Sequence, residues 1–327
     1  LTLEVASRYF ATPKRKLIIA DTTGHLQYTR NMVTGASTAD LALVLVDARK
    51  GIVEQSRRHA FLATLLGIPH LVVCVNKMDL VDWDRARFDE LCSEFRAFAM
   101  KLDVHDLAFV PISALHGDNV VSRSAASPWY EGPTLLHHLE EVHIASDRNL
   151  VDARFPVQYV IRPQSGTNPD YRGHAGTVAG GVFRPGDDVV VLPSGFTTTI
   201  AAIDGPGGAP VEHAFSPMAV TLRLADDLDV ARGDVIARVR NQPVVGQDID
   251  ATVCWMSERS RLDPPGTYLL KHTTRSVRAR VTELAYRLDV NTLHRVGEAD
   301  GLGLNEIGRV RLRTQAPLLF DDYHRNR

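Results

Sequence analysis

Residues 73–82, VCVNKMDLVD, run from an apolar strand into the tetrad Asn76-Lys77-Met78-Asp79. A carboxylate just past a strand end can accept two hydrogen bonds from a planar edge that carries an N–H beside an NH₂. Guanine presents that edge and adenine does not. Asn76 and Asp79 are therefore expected to select guanine, with the stem of Lys77 against the plane of the base. Two further loops suit the same ligand. In ADTTGHLQY, Asp21 ends a strand and Gly24 follows three residues later, across Thr22 and Thr23. There Asp21 can hold a water on Mg²⁺, while the Gly24 N–H points at a terminal phosphate. His25 can accept a hydrogen bond from the attacking water. In PISALHGDN, the Ala114 N–H can meet a purine O6 and Ser113 can brace Asp79, with Leu115 completing the motif. Thr2 is a candidate for the metal through its hydroxyl and for the γ-phosphate through its N–H.

These loops need a sheet to hold them. From residue 3 to about 143, strand-like runs (LEVASRYF, KLIIAD, LALVLVD, HLVVCVN, LAFVPIS) alternate with helical patterns. Apolar residues three and four apart in FDELCSEFRAFAM predict an amphipathic helix. Near-continuous Val/Ile/Leu strands predict a parallel sheet covered on both faces. The three motifs would then lie at carboxyl ends of parallel strands, where open α/β sheets bind ligands. After about 147 short strands recur between Gly/Pro turns, which predicts small all-β barrels. The expected division is a nucleotide-binding domain over 1–147, a barrel over 148–241 and a second, truncated barrel over 242–327. The Arg-rich alternation in SVRARVTEL and RVRLRTQ reads as a half-solvated strand face or, alternatively, as a surface for a partner or a nucleotide product.

Composition narrows the classes. The chain has 327 residues, 44% hydrophobic and 23% charged, with a formal net charge of −2. Nothing in that balance predicts bulk binding to nucleic acid or to a membrane. Three well-separated cysteines without metal spacing suit a reducing cytoplasm. No G-x-x-x-x-G-K-[ST] run and no Gly-Lys pair occurs, so a phosphate cradle cannot be assembled from these residues. The chain starts at Leu1 in mid-strand and stops soon after an apolar run, so both ends look cut. In the P-loop GTPase fold, which these motifs resemble, the strand leading into such a cradle pairs between the strands that correspond to 16–21 and 41–47, so that stretch is expected upstream of Leu1. As written, the chain is expected to bind GTP poorly or not at all.

The motifs and their flanks resemble the translation-factor superfamily of GTPases, an α/β P-loop GTPase-type domain followed by two β-barrels. Within it, LTLEVASRYF, the run from QYTRNMVTGASTADLA to VNKMDLVD, PWYEGPTLLHHLE and YRGHAGTVAGGVFRPGDDVVVLPSG are most similar to the GTPase subunit of bacterial sulfate adenylyltransferase. That resemblance implies GTP and Mg²⁺ as cofactors and a separate catalytic subunit as partner. It implies that GTP hydrolysis drives ATP and sulfate toward adenosine 5′-phosphosulfate and pyrophosphate. In some members an adenylylsulfate kinase domain follows on the same polypeptide. By the same resemblance Thr2 matches the switch I threonine, Asp21, Gly24 and His25 match switch II, and Asn76, Lys77 and Asp79 match the guanine reader. Thr23 stands where the family usually has Pro, which frees a switch position. The rival readings are an elongation factor that binds aminoacyl-tRNA through its barrels and a scaffold that binds no nucleotide.

Overall fold

The computed structural model describes residues 6–22, 29–102, 104, 106–144, 148–163, 171–297, 299–323, 325 and 326. Thr2, Thr23, Gly24 and His25 lie outside them. Two compact units form: Leu1–Ile144 with Val253–Leu262 and Tyr286–Gly308, and Ala145–Thr252 with Asp263–Ala285 and Arg309–Arg327.

The first unit opens with β1 (Ala6–Ala11) and β2 (Lys16–Asp21), paired antiparallel from Ala6↔Asp21 to Ala11↔Lys16. This departs from the all-parallel expectation for a physical reason. A four-residue turn, closed by the Thr12 N–H donating to the Arg15 carbonyl at 2.8 Å, is too short for the crossover that parallel strands require. Helix α1 (Thr29–Ala36) follows. The parallel sheet itself has three strands: β3 (Leu41–Asp47), β4 (His70–Asn76) and β5 (Asp106–Pro111), with β4 in the middle. Helices α2 (Glu54–Leu65) and α3 (Arg85–Ala99) supply crossovers, and α4 (Leu135–Glu141) comes after β5.

Burial explains why β4 reads as an unbroken apolar run. Leu71, Val73 and Val75 face one core, which also holds Leu91 and Phe95. Val72 and Cys74 face another, with Val110 and Ile112. Helix α3 buries Phe88, Leu91, Cys92, Phe95, Phe98 and Ala99 at helical spacing. Its start is capped by the Asp84 carboxylate, which accepts from the Ala86 N–H. The edges of this unit are less covered: Tyr9, Ile18 and Leu45 are 76%, 66% and 57% exposed. Strands β2 and β3 belong to different sheets.

The second unit contains a closed six-stranded barrel. Its strands are β6 (Arg154–Ile161), β7 (Gly173–Thr177), β9 (Asp188–Leu192), β10 (Phe196–Asp204), β12 (Ala219–Leu224) and β13 (Val235–Arg238), in the order β10-β12-β7-β6-β13-β9. Short β8 (Val182–Phe183) and β11 (Ala214–Phe215) pair beside it. Phe155 and Phe183 meet edge to face in its core. Gly181, at φ +69°, is required there: a Cβ would lie 2.4 Å from the Ala153 Cα.

The remaining strands are β14 (Val244–Cys254), β15 (Gly266–His272), β16 (Arg275–Leu288), β17 (Arg295–Val296) and β18 (Ile307–Phe320). They make an open sheet ordered β14-β18-β16-β15, with β17 on β16. The second barrel expected from sequence is thus an open sheet over the described strands. Beyond β18, Asp321 takes both Nε and Nη2 of Arg154, each at 2.8 Å. Asp152 likewise accepts from Nε and Nη2 of Arg325, at 2.8 and 2.6 Å.

Candidate guanine-reading site

Parallel pairing sets the geometry. The ends of β3 and β4 are in register, Asp47 against Asn76, and Val75 lies against Pro111 of β5. The three loops that leave these strands therefore emerge side by side. The Asn76 side chain joins two of them: its Oδ1 accepts from the Lys77 N–H at 2.8 Å and from the Ala114 N–H at 3.0 Å. The Met78 N–H adds a bond to the Ile112 carbonyl at 3.2 Å. Lys77 sits in the left-handed region, φ 65°, which turns the chain sharply into a short 3₁₀ helix, Met78–Val81. Asp79 is placed in its first turn, with its side chain 18% exposed.

Several roles expected from residue type and spacing change once the side chains are in place. The Ala114 N–H, expected to face a purine oxygen, donates to Asn76. Ser113 is fully buried and its Oγ has no hydrogen-bond partner, so it does not brace Asp79. Met78 is a core residue, fully buried, and reaches the site through its backbone alone. Leu115 is 83% exposed. Asp21 and Thr22 lie at the end of β2, outside the sheet that carries the tetrad. The structure thus gathers residues 76–79 with 113–115.

Three residues of this site and one behind it escaped sequence reasoning. Asp47 Oδ2 accepts from Lys77 Nζ at 2.8 Å and from Arg49 Nη2 at 2.9 Å. The bond from Arg49 chiefly, and that from Lys77 against the cost of burial, hold the Asp47 carboxyl well below the usual carboxylate range. Arg49 is shifted upward, mainly by Asp47 and to a smaller extent by Asp79, which places it in the field of the Asp79 carboxylate. His116 brings Nε2 to 3.8 Å from Asp79 Oδ2. Behind the loop, buried Asn119 donates to the Pro111 carbonyl and to Ser127 Oγ and accepts from the Ser124 N–H. The GDN that follows SAL was the available signal for Asn119. Asp47 had none, because Lys77 meets it only through strand register.

This arrangement fits a guanine base. A partly exposed carboxylate is held beside a lysine stem by two crosslinked loops. It does not by itself fit the phosphates, for which the sequence holds no Gly-Lys cradle. Among the described residues no group of three or more His, Cys, Asp or Glu gathers as a metal site.

Residues 1–153 match the elongation factor Tu GTP binding domain, and residues 248–327 match the GTP-eEF1A C-terminal domain-like family. A bifunctional enzyme CysN/CysC of Mycobacterium tuberculosis is 67% identical over all of this chain, which spans 53% of that protein's length. Sulfate adenylyltransferase subunit 1 of Bacteroides thetaiotaomicron is 48% identical, again over the entire chain and 68% of its own length. A crystal structure of Sup35 complexed with GMPPNP is 24% identical with a TM-score of 0.51, over 98% of this chain and 78% of that one, a likeness of fold alone. With a relative at this identity matched over more than two thirds of its length, the chain belongs to the sulfate adenylyltransferase subunit 1 family of proteins with an elongation-factor-Tu-type GTP-binding domain.

Proposed function

We propose that this chain carries the guanine-reading half of a GTPase subunit of sulfate adenylyltransferase. GTP hydrolysis there drives formation of adenosine 5′-phosphosulfate and pyrophosphate from ATP and sulfate on a separate catalytic subunit. The observation that carries the reading is the Asn76 crosslink, which ties the tetrad loop to the loop after β5 beside Asp79. Asp79 accepts from the guanine N1–H and exocyclic amine, Lys77 lays its stem against the base, and Asp47 holds the ammonium of Lys77 in place. Asp21 and Thr2 would hold Mg²⁺, which supplies positive charge to the phosphates, and Gly24 and His25 would serve the γ-phosphate and the attacking water. The phosphate cradle belongs, in this proposal, to a strand paired between β2 and β3. The exposed Ile18 and Leu45 on those strands support it. A kinase domain continuing the same polypeptide accords with the bifunctional relative. The subunit works in the cytoplasm, and no helix among the described residues is long and apolar enough to cross a membrane.

The test is adenylylsulfate formation by the polypeptide bearing these residues, co-expressed with its catalytic subunit, with and without GTP. GTP should raise turnover. Asp79→Asn should abolish that rise and transfer it to xanthosine triphosphate, since an amide replaces one acceptor by donors. Turnover indifferent to GTP, together with binding of aminoacyl-tRNA, would favour the elongation-factor reading instead.

A further inference from the structure

On β16, Val277, Ala279 and Val281 are buried, while Arg278, Arg280 and Thr282 alternate to the opposite face. Strand register sets Thr267 of β15 opposite Arg280 and Leu269 opposite Arg278. With Pro265 and Arg313, this face lines an open cavity of about 520 Å³.

Its cations are not equivalent. Arg309 bonds Asp250 and Thr252, Arg311 bonds Glu283, and Arg313 reaches Asp248 at 3.2 Å. The side chains of Arg278 and Arg280 make no ion pair or hydrogen bond among the described residues. Side chains two apart on a strand project the same way, roughly 7 Å from one another. Two unneutralised guanidiniums therefore stand side by side near the paired Arg313 of β18, in a chain whose net charge is −2. Like charges so placed raise the local potential and recruit an anion.

Three observations decide which anion. Asp248 and Asp250 lie on the neighbouring β14 and Glu283 on β16, a mixed pattern that disfavours a continuous phosphate backbone. Neither the lining of the cavity nor the opposed Leu269 offers an aromatic ring on which a nucleobase could stack. Leu269, 75% exposed beside Arg278, and Pro265 give the face an apolar anchor. An extended peptide repeats its side chains at the same two-residue spacing as β16. We propose that the outer face of β15, β16 and β18 docks an acidic, extended segment of a partner protein, with alternate carboxylates on Arg278 and Arg280 and an apolar side chain over Leu269.

The probe is a fluorescein-labelled peptide of alternating Glu and Val, followed by anisotropy with the 327-residue chain. Binding should weaken as salt rises from about 50 to about 200 mM. Arg278→Gln with Arg280→Gln should cost about ten-fold in affinity, since each loses a charge-assisted bond. Leu269→Ala should cost a smaller factor, and Arg259→Gln, outside the face, nothing. Arg278→Lys with Arg280→Lys keeps the charge and should retain most of the binding, which guards against a folding defect in the glutamine pair. The proposal is overturned if the peptide does not bind or if the glutamine pair binds like the parent chain. It is equally overturned if oligothymidylate or pyrophosphate displaces the peptide more tightly than unlabelled peptide does.

Discussion

Asp47 shows how one carboxylate can fix a neighbouring lysine at the end of a parallel sheet. Its side chain is 16% exposed and is shared by Lys77 and Arg49, so it fixes the lysine whose stem is proposed to meet the base. Asp47→Ala should lower guanine-nucleotide affinity by about ten-fold, or ~1.4 kcal/mol, in the polypeptide that includes the phosphate cradle. The preference for guanosine over xanthosine should stay unchanged, because the proposed reader, Asp79, is left in place. Competition titrations with both diphosphates check this, and altered selectivity would move Asp47 from positioning to reading. At this scale the sequence located the loop that the structure builds around Asn76 and Asp79. It was silent where function depends on a neighbour brought by register, as with Asp47 opposite Asn76. Ser113 misled for a related reason: the motif does not say which way a buried hydroxyl points.

Among the elements, the β strands were readable in position but not in partnership. All five runs of the first unit appear as strands, yet β1 and β2 form a hairpin, because the turn length between them outweighs the apolar pattern. The lock beyond β18 was equally invisible, since Arg154 and Asp321 are 167 residues apart. Within it, burial works to raise the carboxyl of Asp152, but bonds from Arg325, Asn149 and Asn241 outweigh burial and hold it below the usual range. Asp152→Ala should destabilise the chain by about 2–3 kcal/mol at pH 7, as its donors lose a buried acceptor. A carboxyl with a depressed native pKa contributes its full stability above the unfolded value near ~3.9 and loses it as pH falls further. The gap between variant and parent in urea melts should hold from pH 7 to 5 and close below about 4.

His174 of β7 acts in a different window. Burial, aided by Arg172 and Arg162, pushes its pKa from 6.5 down to about 4. The native ring stays neutral while the unfolded one protonates, so stability falls as pH drops between those values, by up to about 3 kcal/mol. His174→Phe should flatten that slope above pH 4 and leave the Asp152 response below it intact. A parent chain with no loss of stability between pH 6.5 and 4.5 would refute the assignment.

For the molecule as a whole, the weakest feature is the exposed apolar stretch on β1, β2 and β3. Tyr9, Ile18 and Leu45 present surface of the kind that associates edge to edge. The 327-residue chain should therefore self-associate with rising concentration. Ile18→Lys together with Leu45→Lys should reduce this in light scattering without lowering the melting temperature. Equal scattering from both proteins would show that these edges are harmless.

Cys74 and Cys92 lie in the core of the first unit, and burial lifts both thiols to about 12, with Cys254 at about 11. None forms much thiolate at neutral pH, so alkylating dyes should leave the parent chain almost unlabelled. A cysteine substituted for Leu115, at the exposed tip of the loop after β5, would then be the single fast-reacting thiol. Maleimide labelling of that variant would put a reporter fluorophore beside Asp79 without removing any native cysteine.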